Sequence, residues 1–276
     1  MADTAFQTQY RQEFISGFEQ RQSLVRSTVT TEAEVRGNSA VFLVADSGSA
    51  AAVTRGVNGL IPARADNLTQ NTATLAEWHD LVRRTSFNLY ASQGDGRRIM
   101  QETTMGVLNR KVDTDIITAL ETGTHDTGTA ATMSLDLAMY ALAILGNNAV
   151  PLDGNISGLI TPGAYAYMMQ TKEFASADYV NNKPFENGMT MFRWANINWI
   201  VHPNLTGKGT NAEKCIIYHK SAIGHACDME SVKTAVGYDE EQDYSFARAS
   251  AFMGSKLLQN SGVVIVNHDG SHYAAQ

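Results

Sequence analysis

The chain has 276 residues, of which 43% are hydrophobic but only 18% charged, and a formal net charge of −7. That length supports one large domain or two modest ones, each with a core of its own, so no disulfide or metal staple is needed for folding. A chain without basic excess does not coat nucleic acid through its phosphates, and so sparsely charged a surface suits contact with other protein, which makes an oligomer the first expectation.

Asp3 or Thr4 caps a helix in which Phe6, Tyr10, Phe14 and Phe18 recur every four residues with Ile15 beside them. The opposite face carries Gln7, Gln9, Arg11, Gln12 and Glu13. This spacing predicts an amphipathic N-terminal arm that docks on protein, because the row of lysines typical of a membrane-surface helix is missing. Polar and charged residues stand where an export signal needs an apolar stretch, so folding is expected in a cytoplasm. Residues 21–36, rich in Ser, Thr and charge, read as a linker.

Residues 40–45 form a short apolar run with strand character, and 74–82 around Trp78 form a second. The 28 residues between them, 46–73, are full of Gly, Ser, Ala and Asn with Pro62 inside. Loops this long are uncommon unless functional, and this one cannot bury its own surface. The expectation is a projecting hairpin arm ordered by neighbours.

Thr85 or Ser86 caps a short helical turn, after which Asp95 opens a long segment without proline. Met105, Leu108, Val112, Ile116 and Leu120 repeat there at spacings of three and four, with Ile99 and Ile117 alongside. One helix over 95–121 is predicted, ~40 Å long at 1.5 Å per residue and stopped by Gly123. Past a Gly/Thr-rich break at 123–129 the elements shorten: a helix over 135–145, a strand at 159–161, a helix over 162–170 with Pro162 in its first turn, and strands at 196–201 and 215–218. An acidic stretch at 238–244 and a strand at 263–266 follow. Residues 244–258 permit a helix through Phe246, Ala249, Phe252 and Leu257, and a strand through their alternating small residues. The pattern is that of an α+β module. Its longest apolar run, 137–145, has nine residues, far below the ~20 of a membrane-spanning helix.

Charge types divide sharply. Through residue 122 the chain has 11 arginines and one lysine; beyond it, two arginines and seven lysines. Arginine's planar fork pairs well with interface carboxylates, so the first part reads as built for contact.

No catalytic, cofactor or metal site stands out. Asp126-Thr127-Gly128-Thr129 matches the short aspartic-protease motif, but Gly123, Thr124 and His125 precede it where apolar strand residues belong, and a linker accounts for it better. Cys215, His219, His225 and Cys227 are zinc-ligand types at no paired-ligand spacing, and read as packing residues. Two cysteines make no disulfide framework, and a reducing compartment keeps them as thiols. His268, Asp269 and His272 fall in a polar tail that reads as solvated. Asp239, Glu240, Glu241 and Asp243 lack the spaced ligands of a calcium loop and read as a solvated turn or a partner for a neighbour's arginines. There is no Gly-x-Ser-x-Gly, phosphate loop or dinucleotide fingerprint. The sequons at Asn67, Asn155 and Asn204 have no meaning without secretion.

The order of amphipathic arm, hairpin arm with a loose tip, long helix, mixed module and final strand resembles the major capsid protein of tailed bacteriophages, the Hong Kong 97 type fold. The segments that carry the resemblance are 38–45 (rising strand), 55–66 (tip), 75–84 (returning strand), 95–120 (spine helix) and 159–169, a strand, Thr161-Pro162-Gly163 and a helix. The resemblance implies an N-terminal arm at 1–35, an extended E-loop at 36–84, a P-domain spine helix at 85–129, an A-domain at 130–235 and P-domain return strands at 236–276. Under it, 244–258 becomes a strand.

The function this implies is self-assembly, through hexamers and pentamers, into the icosahedral shell of a virion built in the bacterial host cytoplasm. Implied partners are a portal, a separate scaffolding protein and packaged double-stranded DNA held weakly and non-specifically, with no membrane, no cofactor and no enzymatic activity. Many repeated weak contacts give a closed object its stability, and a wall facing packed DNA is better not strongly basic. Two other structural readings are an encapsulin-like compartment, told apart by its cargo, and a tail or baseplate subunit, whose head-to-tail contacts make tubes. A small oligomeric enzyme using Cys215, or His219 and His225, is a third.

Some relatives cross-link through an E-loop lysine that attacks a neighbour's asparagine, which requires a neutral amine. Residues 36–84 contain no lysine. A non-covalent shell is therefore expected, with Arg55, Arg64, Asp66, Trp78, Arg83 and Arg84 at the subunit contacts. Particles boiled in denaturant are expected to run as intact monomer on a gel; a covalent ladder would refute this.

Overall fold

The computed structural model of the chain describes residues 22–31, 34–47, 50–64, 67–85, 96–175 and 191–273. The expected arm helix, Asp66, Ser86 and Asp95 lie outside the described residues. In chain order the elements are β1 (Glu34–Arg36), β2 (Ser39–Asp46), β3 (Asn67–Thr74), β4 (Ala76–Thr85), α1 (Gly96–Leu120), α2 (Leu135–Asn147), β5 (Ile156–Ile160), α3 (Pro162–Gln170) and α4 (Lys172–Ala175). Then follow β6 (Met191–Trp194), β7 (Ile197–Val201), β8 (Glu213–His219), β9 (Ile223–Asp239), β10 (Tyr244–Leu257) and β11 (Val263–His268). They form two compact units: one of Met1–Ser23, Glu77–Lys111 and Asp228–Phe252, the other of Leu24–Ala76, Val112–Cys227 and Met253–Gln276.

The second unit contains a five-stranded sheet in the order β11-β8-β5-β7-β6, in which only β5 and β7 run parallel. All five residues of β5 are buried, Ser157 and Gly158 included, so the strand starts three residues before the apolar 159–161 that marks it in the sequence. The sheet packs on α2 through Ala138, Ala141, Leu142 and Leu145, and on α3 through Ala164 and Met168. Both helices start where their caps dictate. Ser134 accepts the Leu137 N–H, and Thr161 accepts the Ala164 N–H with Pro162 in the first turn. Gly158 is required because Trp199 lies across it: a Cβ there would sit 2.6 Å from the indole. The terminal strand β11 pairs with β8 from Val263↔Tyr218 to His268↔Glu213, so 263–268 belong to this sheet.

The hairpin differs from expectation in its returning strand. β2 pairs with β3 along its whole length, from Ser39↔Thr74 to Asp46↔Asn67, so the paired arm runs through residues that read as loop. The Trp78 strand, β4, instead lies in a sheet of order β4-β10-β9. The reason lies at 74–76. Leu75 N–H closes the hairpin on the Asn38 carbonyl, and Gly254 of β10 comes so close to Thr74 that a Cβ would run into its carbonyl oxygen. β3, with sequence Asn-Leu-Thr-Gln-Asn-Thr-Ala-Thr, buries only Ala73 among its side chains of assigned burial and so shows no apolar alternation.

The root of the arm is a small core of its own: Ala40, Phe42, Ala73 and Ala226, flanked by Leu75 and Leu258. Phe42 fills a notch at Gly224, where a Cβ would lie 2.7 Å from the ring. Residues 21–36 are no free linker either. Val25 and Val29 are buried, and Thr30 bridges Gly224 in parallel, its carbonyl taking the His225 N–H at 2.9 Å.

In the first unit Leu108 of α1 packs against Ala249 and Ala251 of β10, with Trp78 and Met105 at the edge. Burial along the lower half of β10 alternates, which bears out the strand reading of 244–258. β9, at 17 residues the longest strand, was not foreseen. Its glycines and mixed polarity hide the period of two.

Gly224→Ala is expected to push Phe42 from its notch, costing about 1–3 kcal/mol, and to open the arm to proteolysis at its root. Denaturant unfolding and limited digestion check both effects.

Candidate assembly interface

Beyond the root, the arm leaves the protein's own core. Every described residue from 50 to 64 is exposed, including Val53, Val57, Leu60 and Ile61. On the outward face of the strands Leu43 and Leu68 are 79% and 74% exposed, and their register, Leu43↔Gln70 and Ala45↔Leu68, makes them diagonal neighbours. The tip turns on itself through Gly56 N–H to Leu60 O at 3.0 Å and Gly59 N–H to Gly56 O at 2.9 Å, with Gly59 at φ +72°. Contiguous apolar groups presented this way mark a surface meant to be covered.

The sequence-predicted contact residues divide. Arg55 and Arg64 are exposed at the tip, and Asp66 is outside the described residues. Trp78 is half-buried in its own unit, stacked under Lys111 with Nζ 3.7 Å from the ring centroid, and its Nε1 has no hydrogen-bond partner. Arg83 lies over the Tyr244 ring at 4.9 Å and Arg84 is half-buried. The structure thus brings Arg55 and Arg64 to one loop and sets Trp78 and Arg83 into contacts within the chain.

What fixes the arm was not legible from spacing. Asp113 of α1, fully buried, accepts the Leu24 and Val25 N–H groups at 3.0 and 3.3 Å. His202 is also fully buried. Its Nδ1 accepts the Asn204 N–H at 3.2 Å, so Nε2 carries the hydrogen that faces Asp113 at 3.3 Å. Two residues on, Asp115 accepts the Ser255 hydroxyl at 2.7 Å, and His225 Nδ1 lies 2.9 Å from that oxygen. Because the serine proton goes to Asp115, the imidazole donates from Nδ1, which leaves Nε2 buried and unpartnered. Burial pushes His225 down to about 4, with Asp115 opposing, Arg26 adding to the fall and Asp113 opposing. An i,i+2 pair of aspartates on a helix is the only sequence signal for this clamp, and it is weak.

The chemistry-bearing motifs become structural. Cys215 is buried, its thiol pushed up to about 12 by that burial, so it is inert. His219 bonds Ser221 and Asp153 at 2.8 and 3.2 Å, and Cys227 is a half-buried free thiol. Among the described residues no group of three or more His, Cys, Asp or Glu could hold a metal. Asp126 and Thr127 stitch the sheet edge, Thr127 N–H bonding Ile265 O at 3.0 Å while Asp126 Oδ1 accepts Gly128 N–H at 2.7 Å. His268, expected in a solvated tail, is instead buried: Nδ1 donates to Ala131 O at 3.0 Å and Nε2 lies 3.8 Å from Glu213, which also accepts the Thr161 hydroxyl and the Gly209 N–H. The acidic run is the β9–β10 turn, and Asp239 Oδ1 accepts the Glu241 and Gln242 N–H groups.

An exposed apolar arm on a mixed module fits a subunit whose surface is covered by another protein. The fold is similar to the capsid of cyanophage P-SCSP1u (TM-score 0.74, 13% identity, 96% of this chain and 93% of that one). It is also similar to a Mycobacterium phage Che8 structure (0.70, 18%, 93% and 98%) and to the capsid of an empty GTA particle (0.69, 12%, 93% and 93%). No curated protein matches the sequence. The phage capsid protein family matches residues 2–270, and the chain belongs to that family. It is a structural protein, a shell subunit of a phage, and the compartment and tail readings are not favoured.

The proton balance at His225 sets a pH dependence. An unfolded histidine binds its proton below about 6.5 and the folded one only near 4, so the contribution is complete above pH 6.5 and is lost as pH falls toward 4. About 3 kcal/mol of stability is expected to disappear across that window, with a smaller loss in His225→Asn. Denaturant midpoints from pH 7 to 4 check it.

Proposed function

We propose that this chain is the major capsid subunit of a tailed double-stranded DNA phage, which self-assembles through hexamers and pentamers into an icosahedral shell. The observation that carries this reading is the arm. Residues 50–64 present Val53, Val57, Leu60 and Ile61 to solvent, and a monomer gains nothing by holding them there. An adjacent copy that covers them recovers roughly 25 cal/mol per Å² of apolar surface, and a shell repeats that gain at every subunit.

In this assignment 36–84 is the E-loop, with its paired part in β2 and β3, and 1–35 is the arm. In this division 85–129 with 236–257 form the P-domain, and 130–235 with the terminal strand β11, which pairs with β8, form the A-domain; the resemblance alone puts all of 236–276 in the P-domain. The contacts are non-covalent, with Arg55, Arg64 and Arg84 reaching a neighbour's carboxylates, Asp66 reaching a neighbour's cationic side chain, and Trp78 and Arg83 stiffening the strand behind them. A portal and a separate scaffolding protein complete the assembly, DNA is held weakly in keeping with the net charge of −7, and no enzymatic step is needed. The particle forms in the host cytoplasm.

Negative-stain microscopy of the purified, overexpressed chain is expected to show closed particles. Deleting 50–64 should leave soluble small species. Tubes, or a rigid monomer at high concentration, would overturn the assignment.

A further inference from the structure

The chain has two Asn-Gly steps, 58–59 and 187–188, and the first of them, which lies among the described residues, sits in the exposed tip of the arm. Gly56 to Gly59 form a β-turn closed by Gly59 N–H on Gly56 O at 2.9 Å. Asn58 and Gly59 are both exposed, and the Asn58 side chain has no hydrogen-bond partner among the described residues. Gly59 is at φ +72° with nothing within 4 Å of where a Cβ would lie, so no side chain stands beside its nitrogen.

Asparagine is chemically labile, and this arrangement lets the chain react with itself. The Gly59 nitrogen, its proton passing to hydroxide, bonds to Asn58 Cγ. The Cγ–Nδ2 bond breaks and ammonia leaves, closing a succinimide. Water then opens the ring at one of its two carbonyls. Breakage of the new bond gives aspartate, and breakage of the old Asn58–Gly59 peptide bond gives isoaspartate, whose main chain runs through the side chain. One water enters and one ammonia leaves. Glycine suits the attack because it has no Cβ to obstruct the approach, and the single exposed hydrogen bond to Gly56 O slows it by no more than about tenfold. Other sites of related chemistry are held in place. Asp153, before Gly154, accepts the Asn155 N–H and bonds His219, and Asp269, before Gly270, takes the Ser271 N–H and hydroxyl. Asn260, before Ser261, is tied to Thr124 through both of its side-chain polar atoms.

Resting on the shell reading above, we propose that Asn58 is a self-modification site: in unassembled copies it converts to aspartate and isoaspartate, and cover of the tip by a neighbour halts the reaction, so that the product marks copies left out of the shell. The described charges from 50 to 64 are Arg55 and Arg64. A carboxylate formed between them competes for the guanidinium groups and repels the carboxylates of a neighbour, and isoaspartate adds a main-chain atom to the Gly56–Gly59 turn. Cover excludes water and fixes the turn, which removes both the base and the local opening that ring closure needs.

Arg55 and Arg64 also supply the assay, since trypsin releases residues 56–64 as one peptide. Free chain and assembled particles, separated by sedimentation, are incubated at neutral and at mildly alkaline pH, digested, and read by mass spectrometry for the change of amide to acid. Conversion in the free chain is expected within about tenfold of the rate of the synthetic 56–64 peptide, faster at the higher pH, and at least about tenfold slower in particles. Asn58→Asp, which installs the charge of the product, should lower association by about threefold or more, while Asn58→Gln neither converts nor loses association. Both changes are at an exposed turn, and circular dichroism checks that folding persists. If no closed particles form, the shell reading fails and protection by assembly fails with it, while the free chain still decides whether Asn58 converts. If the free chain keeps its amide while the synthetic peptide loses it, if particles convert as fast as the free chain, or if Asn58→Asp associates as well as the unaltered chain, this inference falls.

Discussion

The arm can project only because its root cannot move. Phe42 occupies the space that the missing side chain of Gly224 leaves, and the next residue, His225, is held by Ser255, Asp115 and the Thr30 carbonyl. His225 thus makes two hydrogen bonds, to Ser255 Oγ, itself held by Asp115, and to the Thr30 carbonyl, while one ring fills the space at the preceding glycine. A lever presented to a neighbour transmits binding energy only if its pivot is stiff, since every degree of freedom left at the root must be frozen on docking. Burying Asp113, His202 and His225 is costly unless each is hydrogen-bonded; Asp113 and His202 are, and the half-buried Asp115 takes the Ser255 hydroxyl. His225 Nε2 is the exception, which is why acid reaches the pivot through that ring.

The distribution of charge follows from the same requirement. In the proposed assembly the tip stays soluble before it docks and loses little on desolvation afterwards. Two arginines among alanines, glycines and four exposed apolar side chains satisfy both, since guanidinium groups are weakly hydrated and make directional pairs. A lysine would bring a more strongly hydrated charge and, near an asparagine, a nucleophile. The two units also differ in what they keep apolar. The five-stranded sheet is covered on both faces by its helices and loops, whereas the ends of β9 and β10 leave Val236, Tyr238 and Phe252 in solvent, as expected of a sheet meant to be completed by something else.

Much of the fold was readable in the residues themselves. α1 and α3 stand within a residue or so of where periodicity, Pro162 and Gly123 place them, because an amphipathic stripe and a terminal cap act locally. β10 was ambiguous on pattern alone, since Ala249, Ala251 and Phe252 suit either period, and the resemblance to capsid proteins decided it correctly. β3 and β9 were missed. The first is polar because both of its distal faces meet solvent, and the second mixes buried glycine and histidine with a half-buried cysteine, so no apolar alternation shows. Arg55 and Arg64 could be picked out as exposed because a long loop of small and polar residues carries them. Trp78 could not be placed, since an exposed anchor and an edge-of-core indole have the same sequence signature.

Periodicity determined the helices, because it depends on residue type and on neighbours a few positions away; the order of elements, through its resemblance to capsid proteins, gave the class of protein, and the absence of lysine from 36–84 gave the non-covalent character expected of its contacts. Which strand closes the hairpin, where β4 goes, and how Asp113, Asp115, His202 and His225 come together were decided only in three dimensions. Most rest on residues far apart in the chain, such as Thr74 with Gly254 and Asp113 with Leu24 and His202, and local sequence signals do not specify such encounters.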